Sequence, residues 1–384
     1  MSDKAKKVQP NGSKTRRTKA PLTAHELLAL ENEPARIDLP AEVRQQLAAR
    51  RLYLGGPRAG IASVRRALES ASAESGADTE MISLSLPDSV GVGLPGRKFQ
   101  RIPASDVKIT STTGEGLRPD WAAMMYHPKL GTTPQPTRLR RFDGRPVIPV
   151  TNQSFVYPPE DRKVYYPSAY PWNCIGRVDV YPTATADNFT SWGSGVLVGN
   201  RIVLTAGHVA AEIDPKNWKI RFTAGMYAGS PVSGPGAVSY VSDAKWFSGG
   251  LSGHDYAVLR LYQPLGSTLG YFGYKGYDTG WNGGNYWYLA GYPFDIANEQ
   301  SPSYQNGIAV LGVDAGSDSG MELEHHGDIA SGDSGGPFFG FWTGESYPSV
   351  VGTTSGHSGD VDDNIEAGGG LMSSMIGQAR TDWP

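Results

Sequence analysis

The amino-acid sequence predicts an all-β body over residues 165–384, preceded by an N-terminal extension that is mostly helical or irregular. The body is predicted from composition and from pattern. The chain has 49 glycines, 28 prolines and 19 tyrosines, and after about residue 170 short Val, Ile and Tyr-rich runs are separated by turn residues. Helical segments do not alternate with these runs as in a βαβ fold, so a barrel or a sandwich is expected.

The extension divides into two parts. Residues 1–22 are basic and polar and cannot bury enough apolar surface to offset the entropy of ordering, so they are predicted to be a disordered tail. Residues 23–150 are predicted to be a pro-segment or linker with short helices at 23–28, 40–47 and 59–72. Periodicity is weak after about residue 82, where proline and glycine are frequent.

Short apolar segments predict the strands of the body. The strongest hairpin signal is a pair of apolar runs that flank Gly199 and Asn200, two residues suited to a tight turn. One helix is predicted near the C-terminal end, at 373–383. The predicted strands are 196–198, 202–204, 218–223, 238–241, 256–261, 286–289, 308–313, 337–341 and 349–352.

Composition limits the classes of function. A chain of 384 residues can hold one large domain and a long extension, and its net charge of −3 argues against nucleic acid or a membrane surface as a partner. Cys174 is the one cysteine of the sequence, so it cannot form an intrachain disulfide and is expected to be a small core residue. The sequence has no apolar run long enough to span a membrane. Its first 20 residues carry seven Lys and Arg without the apolar segment of a secretory signal peptide.

Residues 331–337, with the sequence Ser-Gly-Asp-Ser-Gly-Gly-Pro, form the most informative motif. Glycines on both sides of Ser334 allow backbone conformations that a β-carbon would forbid, so N–H groups can converge beside the Ser334 hydroxyl as an oxyanion hole. A serine hydroxyl is inert at neutral pH until a base removes its proton. The motif therefore predicts a nucleophile only if a histidine and an orienting carboxylate lie elsewhere in the chain.

Two residues are candidates for these roles. His208 follows an apolar strand and a turn of small residues, which suits a general base, since an ordinary imidazole has a pKa of about 6.5. Asp255 lies directly before another apolar strand and could hold one imidazole nitrogen. Each residue alone also fits a simpler interpretation, as a structural histidine or as a turn aspartate that caps its own backbone.

The order His208, Asp255, Ser334 in an all-β chain is one of the few known orders of a catalytic triad. The segments Thr-Ala-Gly-His at 205–208, Asp-Tyr-Ala-Val-Leu at 255–259 and Gly-Asp-Ser-Gly-Gly-Pro at 332–337 resemble the three signature segments of chymotrypsin/trypsin-like serine peptidases. The resemblance covers about residues 165–384. The segments Tyr-Pro-Trp at 170–172, Ile-Gly at 175–176 and Gly-Tyr-Pro at 291–293 resemble the disulfide-poor, glutamyl-endopeptidase-like branch of bacteria and fungi.

This resemblance implies two six-stranded β-barrels with the triad in the cleft between them. It implies that Ser334 attacks, that His208 acts as base and then as acid, that Asp255 orients His208, and that the N–H groups of Gly332 and Ser334 bind the oxyanion. It also implies a serine endopeptidase that acts on polypeptides without a cofactor or a metal ion. The family resemblance further suggests an extracellular monomer made as a zymogen.

Substrate preference stays open. Asp328 lies six residues before Ser334, the spacing at which trypsin-like members carry the aspartate of their specificity pocket, and a carboxylate there would favour Arg or Lys side chains. In glutamyl-endopeptidase-like members a threonine follows that aspartate, whereas Ile329 follows it here. The histidine by which those members recognise substrate is expected near Thr354, but this chain has His357.

Two further substrate-binding residues are predicted from the resemblance. Ser355 and Gly356 match the strand that pairs with bound substrate in the family, and Ser355 is also expected to support the aspartate of the triad. Asp328 and Ile329 complete the predicted substrate-binding set.

The extension resembles a pro-segment. The charged residues 160–163 indicate an exposed stretch where cutting is plausible, so the active form is expected to begin between about residues 145 and 175. Asp333 is then expected to pair with the new α-amino group, as in many relatives.

Two other classes of protein fit parts of the sequence. The motif around Ser334 also fits the nucleophile elbow of α/β-hydrolases, but that fold needs a helix after the serine and a later acid and histidine. Here the segment after Ser334 predicts a strand, and only His357 lies downstream. A catalytically inactive binding module on a protease fold is the second alternative. The acidic and histidine residues at 322–326 and 360–364 lack the spacing of zinc sites or of EF-hands, so no metal site is predicted.

Overall fold

The computed structural model of the chain describes residues 19–30, 39–48, 80–85, 99–103, 106–128, 155–183, 186–211, 219–247, 252–315, 320–357 and 363–384. The helix predicted at 59–72 and most of the basic tail lie outside these residues. In the described part of the chain, no helix is long and apolar enough to cross a membrane.

The extension contributes short elements that pack on the body. They are α1 (Ala24–Ala29), α2 (Ala41–Ala48), β1 (Glu80–Ser85), β2 (Phe99–Pro103) and β3 (Thr113–Gly114). The predicted start of α1 is confirmed, because Thr23 and Glu26 form a capping box in which the Thr23 Oγ1 accepts the Glu26 N–H. A six-residue helix is not stable alone, so α1 depends on its buried Leu27 and on the hydrogen bond from the Leu22 N–H to the Phe341 carbonyl.

Strands β1 to β3 were not predicted. β1 pairs with β2 and also with a strand of the body, and β3 pairs with another body strand. The local pattern of this stretch does not indicate strands because its periodicity is weak. β1 and β3 are stabilised by pairing with strands of the body that are distant in sequence.

The first half of the body is a closed six-stranded barrel, called barrel one. In chain order the elements are β4 (Lys163–Val164), β5 (Ile175–Tyr181), β6 (Ser191–Leu197), β7 (Ile202–Thr205), α3 (Gly207–Ala211), β8 (Lys219–Ala224), β9 (Met226–Tyr227), β10 (Ser230–Pro231), β11 (Val238–Phe247), β12 (Ala257–Leu261) and α4 (Gly266–Leu269). The strands of the barrel pair in the order β12, β7, β6, β5, β8, β11, and β11 also pairs with β12, which closes the sheet. The short helix α3 follows β7.

Strand β5 was missed by the sequence analysis because charges interrupt its apolar pattern. Arg177 and Asp179 are both buried on it, and the Arg177 Nε donates to Asp179 Oδ1 at 2.6 Å. Arg221 on β8 donates to the other carboxylate oxygen from its Nη2, also at 2.6 Å. A buried charge has to be paired, and here the pairing is made across two neighbouring strands of the barrel.

The second half of the body is barrel two. The elements are β13 (Gly273–Lys275), β14 (Trp287–Gly291), β15 (Ser303–Ile308), β16 (Val310–Ala315), β17 (Met321–His325), β18 (Pro337–Gly340), β19 (Ser349–His357), β20 (Asn364–Gly368) and α5 (Gly370–Asp382). The strands pair in the order β16, β17, β20, β19, β18, β14, β15, and β4 pairs with the outer side of β15. β15 and β16 are consecutive segments of the chain separated by Ala309, so the chain itself joins these two strands at opposite ends of the barrel. The all-β architecture with two barrels and a C-terminal helix is therefore confirmed.

The helix α5 fastens several parts of the molecule together through Arg380. Its guanidinium donates to the carbonyl of Val198 at the end of β6, to that of Glu115 in the extension at 2.7 Å, and to that of Phe272 before β13 at 2.8 Å. The guanidinium also lies 4.9 Å from the ring centre of Tyr271. One side chain thus joins barrel one, the extension and the entry to barrel two.

Residues 106–128 of the extension pack against the body, and Ala122, Met124 and Met125 are part of its core. The Trp172 Nε1 donates to the Met125 carbonyl at 2.9 Å, and the Met125 N–H donates to the Tyr170 carbonyl at 3.0 Å. Trp172 is fully buried, and complete burial of a large apolar side chain contributes about 1.5–3 kcal/mol. This part of the extension is therefore integrated into the packing of the body.

Barrel two contains a buried pair of ionisable side chains, His325 on β17 and Glu366 on β20. The His325 Nδ1 accepts the Gly327 N–H at 2.8 Å, so it carries no proton, and the Nε2 faces Glu366 Oε1 at 3.1 Å. Burial lowers the pKa of His325 to about 3, and burial raises the pKa of Glu366 well above its ordinary value. The pair therefore favours neutral forms, with the His325 Nε2–H as donor.

We expect Glu366→Gln to become more stable relative to the wild type as the pH rises from 5 to 8. A carboxyl whose pKa is raised by folding keeps its proton longer in the folded state, so its contribution to stability is full below the unfolded pKa and is lost as the pH increases. The loss can reach about 1.4 kcal/mol per pH unit, and glutamine abolishes it. Urea unfolding at several pH values measures the difference.

The matched control is Glu115→Gln, a change at an exposed glutamate. If the free energy of unfolding of Glu366→Gln and that of the wild type have the same pH dependence, Glu366 does not hold its proton in the folded state.

Candidate active site

The three side chains of the predicted triad come from both barrels. His208 lies in α3 directly after β7, and Asp255 lies in the loop before β12, so both belong to barrel one. Ser334 lies in the turn before β18 of barrel two. The strand ends of the two barrels thus converge on one cleft.

Asp255 and His208 form the best-defined contact of the site. Asp255 is 1% exposed, and its Oδ1 accepts the His208 backbone N–H at 2.8 Å while its Oδ2 lies 2.7 Å from the His208 Nδ1. An ionised carboxylate can only accept hydrogen bonds, so the Nδ1 carries the hydrogen and the Nε2 of the neutral ring keeps its lone pair. The His208 side chain is 31% exposed, so this lone pair can act on a group in the cleft.

Ser355 makes the third hydrogen bond to the same carboxylate. Its hydroxyl donates to Asp255 Oδ2 at 2.6 Å, and Ser355 is buried on β19 of barrel two. The expected support of the aspartate by Ser355 is therefore found in the geometry. Gly356, the next residue on β19, pairs with Ile365 on β20.

The turn that carries Ser334 packs directly against the end of β7. Gly335 has a φ of +85°, and a β-carbon there would lie 2.2 Å from the Thr205 Oγ1 and 2.3 Å from the Ser194 carbonyl oxygen. Only glycine fits such a position. The Gly335 N–H also donates to the Thr354 carbonyl at 2.8 Å. Gly335, the residue after Ser334, thus lies against Thr205. Thr205 is the last residue of β7, the strand that leads into His208.

The backbone around Ser334 presents two amides that differ from their neighbours. The N–H groups of Asp333, Gly335 and Gly336 all donate to carbonyls within the fold. In the described part of the chain, the N–H groups of Gly332 and Ser334 donate to no backbone carbonyl. Gly332 has a φ of +99°, which tilts its peptide unit away from the helical or extended direction. Two such amides beside a serine hydroxyl can bind an oxyanion.

Asp333 is buried between these two amides. Its Oδ2 accepts the Ala330 N–H at 2.9 Å and lies 3.7 Å from the Arg162 Nη1. Burial raises the pKa of Asp333 to about 7, and the Arg162 guanidinium and the Ala330 N–H oppose that rise. The family resemblance predicts an α-amino group beside Asp333, whereas in this structure the guanidinium of Arg162 lies there.

Ser194 is a residue of the site that the sequence analysis missed. It is fully buried on β6, its N–H donates to the Ser334 carbonyl at 2.7 Å, and its hydroxyl donates to the Gly332 carbonyl at 2.8 Å. The same hydroxyl accepts the Tyr292 N–H at 2.8 Å. Ser194 thus joins barrel one to the turn of Ser334 on both sides of Asp333. The local sequence gives no signal of this contact beyond the glycines that flank Ser194.

The predicted residues of the specificity pocket lie deeper than expected for direct recognition. Asp328 is 1% exposed, its Oδ1 accepts the Tyr157 N–H at 2.7 Å, and its Oδ2 lies 3.3 Å from the Gln305 Nε2. Burial raises the pKa of Asp328 to about 6. Ile329 is buried in the core of barrel two, and its N–H donates to the Phe155 carbonyl at 3.1 Å.

Parts of the two segments considered as metal ligands lie side by side, while residues 360–362 are outside the described part of the chain. His326 pairs with Asp363 through its Nε2 at 2.7 Å, which brings together the two acidic and histidine-containing segments. Among the residues that the structure describes, no group of three or more His, Cys, Asp or Glu side chains could hold a metal ion.

Part of the chain is similar to known proteins. Residues 176–366 match the trypsin family. A glutamyl endopeptidase of Bacillus licheniformis is 28% identical over 203 residues, which are 50% of this chain and 56% of that relative. The chain thus spans little more than half the length of this relative.

Two solved structures are similar to part of the chain. A glutamyl endopeptidase in complex with MPD has a TM-score of 0.46 at 21% identity, over 59% of this chain and 100% of that one. The thermostable serine protease AL20 from an extremophilic microorganism has a TM-score of 0.40 at 17% identity, over 55% of this chain and 97% of that one.

The match to the trypsin family begins at the second residue of β5 and ends within β20, and it includes all three motifs. This body of the chain, residues 176–366, belongs to the trypsin family of chymotrypsin-like serine peptidases.

Proposed function

We propose that the protein is a serine endopeptidase that hydrolyses peptide bonds of polypeptides through an acyl-enzyme on Ser334. The observation that carries this proposal is the Asp255 carboxylate, which accepts hydrogen bonds from the backbone N–H and the ring Nδ1–H of His208. The turn of Ser334 packs against the strand that leads into the same His208. Membership of the trypsin family supports the same reaction.

The proposed reaction begins with proton transfer from the Ser334 hydroxyl to the His208 Nε2, as the Ser334 oxygen attacks the carbonyl carbon of the substrate. The carbonyl oxygen becomes an oxyanion, and the N–H groups of Gly332 and Ser334 stabilise it. Asp255 stays ionised and stabilises the His208 imidazolium. Its buried position strengthens this interaction, because it is not screened by water.

His208 then gives the proton to the leaving amine, and the peptide bond breaks to leave an ester on Ser334. A water molecule attacks this ester by the same route, with His208 as base, and releases the new carboxyl end. No metal ion or cofactor takes part in these steps. Ser355 supports the reaction by fixing the Asp255 carboxylate, and the backbone of Ser355 and Gly356 is proposed to pair with the bound substrate.

The residue preference of the enzyme is not assigned. The B. licheniformis relative is a glutamyl endopeptidase, but Ile329 and Thr354 depart from the residues expected in that branch. The carboxylate of Asp328 is buried, and both of its oxygens are engaged inside the protein, which offers little to a substrate Lys or Arg. Asp328 and Ile329 are therefore proposed to shape the wall of the pocket.

We further propose that the protein is extracellular and monomeric and is made as a precursor, with residues 23–150 as its pro-segment. An α/β-hydrolase esterase is not supported, because the strand β18 and not a helix follows Ser334. An inactive binding module remains the competing function, and it differs from the peptidase in one result: Ser334 would not react with a serine-directed probe.

Replacement of Ser334 by alanine is expected to abolish peptide cleavage. Loss of the nucleophile of a triad lowers kcat by roughly 10⁶-fold. Cleavage-site profiling on a peptide library, with wild type beside Ser334→Ala, measures the loss and gives the residue preference at the same time. The exposed Ser267→Ala serves as the control and should cleave like the wild type. Equal cleavage by Ser334→Ala and the wild type would exclude this mechanism.

The value of kcat/KM is expected to fall as the pH decreases below about 6, by about tenfold per pH unit. The base must be neutral to accept a proton, so activity is present above the pKa of His208 and is lost as the ring becomes protonated. Initial rates from pH 4.5 to 8 on one peptide substrate test this. A flat profile through that range would argue against His208 as the base.

N-terminal sequencing of the active form is expected to find a first residue between about 145 and 175. Cleavage in this window would remove the covalent link between the extension and the body but leave β5 and the triad intact. The Ser334→Ala protein shows whether the cut is made by the protein itself or by another protease. An active preparation whose intact mass is that of the uncut chain would refute the precursor proposal.

A further inference from the structure

Arg162 is a buried cation that the proposed mechanism does not use. Its side chain is 1% exposed, although it lies just before the short strand β4. Its Nε and Nη2 donate to Glu160 at 2.9 and 2.6 Å, and its Nη1 and Nη2 donate to Asp295 at 3.1 and 2.6 Å. A guanidinium cannot lose its proton at accessible pH, so it must be paired when it is buried.

The third carboxylate beside Arg162 is unlike the other two. Glu160 and Asp295 have side chains that are 47% and 45% exposed, so water can solvate them. The side chain of Asp333 is 1% exposed and lies 3.7 Å from the Arg162 Nη1. The hydrogen bonds that the guanidinium donates to two solvated carboxylates therefore hold it where its charge acts on the buried carboxylate of Asp333.

The position of Asp333 connects it to the chemistry. It is the residue between Gly332 and Ser334, and it closes its own turn through two contacts with Ala330: its N–H donates to the Ala330 carbonyl at 3.0 Å and its Oδ2 accepts the Ala330 N–H at 2.9 Å. Any displacement of Asp333 therefore moves the two amides that face the oxyanion. Burial alone disfavours the Asp333 anion, so a nearby cation is needed to keep the carboxylate in this contact.

We propose that Arg162 is a positioning residue for the oxyanion hole: its guanidinium holds the Asp333 carboxylate, and thereby the Gly332 and Ser334 amides, in the uncut chain. This inference rests on the proposed peptidase function and deepens it. Arg162 supplies the charge that the family resemblance assigns to a new α-amino group. The catalytic turn is then formed before any cut in the extension.

The alternative is that the ion pairs of Arg162 only fasten residues 160–162 to the loop of Asp295. In that case removal of Arg162 would lower stability without a specific effect on the stabilisation of the oxyanion. Glu160→Gln separates the two roles, because it removes one ion pair of Arg162 and leaves the charge next to Asp333. The exposed neighbour Lys163 offers a second matched control.

The experiment measures how fast a fluorophosphonate labels Ser334 in the uncut chain, verified by intact mass, over a range of probe concentrations. At saturating probe Arg162→Met should label about 10²–10³-fold more slowly, the loss expected when an oxyanion donor is misplaced, with the half-saturating probe concentration changed less than threefold. Arg162→Lys should recover most of this loss, and Glu160→Gln and Lys163→Met should stay within threefold of the wild type.

A double-mutant cycle shows whether Arg162 acts through Asp333. If it does, Arg162→Met with Asp333→Asn should be no slower than Asp333→Asn alone, because the second change removes the group on which the guanidinium acts. If Arg162→Met does not fold, Arg162→Lys is used instead. A labelling rate for Arg162→Lys as low as that of Asp333→Asn would overturn the proposal, and a labelling rate close to that of the wild type would support it.

Other outcomes overturn the inference in distinguishable ways. A folded Arg162→Met that labels within threefold of the wild type, or that changes only the half-saturating probe concentration, excludes a role in the oxyanion hole and leaves the peptidase function intact. Additive losses in the double mutant exclude a route through Asp333. A wild-type chain that is not labelled at Ser334 overturns the proposed function, and the inference with it.

Discussion

The buried carboxylate of Asp255 is the interaction on which the rest of the site depends. A carboxylate taken out of water must be satisfied by hydrogen bonds, because otherwise its ionised form is strongly disfavoured. Asp255 obtains two from His208 in barrel one and one from Ser355 in barrel two. The two barrels cannot shift against each other without breaking at least one of these bonds, so the requirement to satisfy one anion sets the geometry of the cleft.

The contacts of Ser194 repeat this arrangement on the other side of the cleft. Its N–H and hydroxyl reach the carbonyls of Ser334 and Gly332, so both carbonyls that flank Asp333 are held by barrel one. In the described part of the chain, the Gly332 and Ser334 N–H groups of the same turn donate to no backbone carbonyl. The fixed carbonyls hold the turn rigid, as the proposed oxyanion site requires, since its donors must be oriented before charge develops.

Much of the fold and of the site could be predicted from the sequence because the signals are local. The Thr23 cap, the hairpin around Gly199 and the placement of His208, Asp255 and Ser334 next to strands depend on residues a few positions apart. Contacts over long separations gave no such signal. Ser194 and Gly332 are 138 residues apart, and the residues next to Ser194 do not indicate its distant partner.

Other differences between the predictions and the structure also arise from contacts between residues that are distant in sequence. Asp328 has the spacing of a pocket aspartate, but spacing does not show that the Tyr157 N–H reaches its carboxylate from the extension. No strand was predicted at 360–364, yet β20 begins at Asn364, because pairing with β17 and β19 outweighs a weak local propensity. Arg177 and Asp179 hid β5 because burial of a charge depends on a partner from another strand.

The Arg380 clasp has a consequence for the order of assembly. Its three acceptors belong to the extension, to the end of β6 and to the approach to β13, and all three precede α5 in the chain. A ribosome therefore delivers this guanidinium after the strands of both barrels, and its hydrogen bonds close only when those surfaces have already met. The helix α5 can therefore dock only after every strand that it joins has been synthesised, so the contacts of Arg380 form last in the order of synthesis.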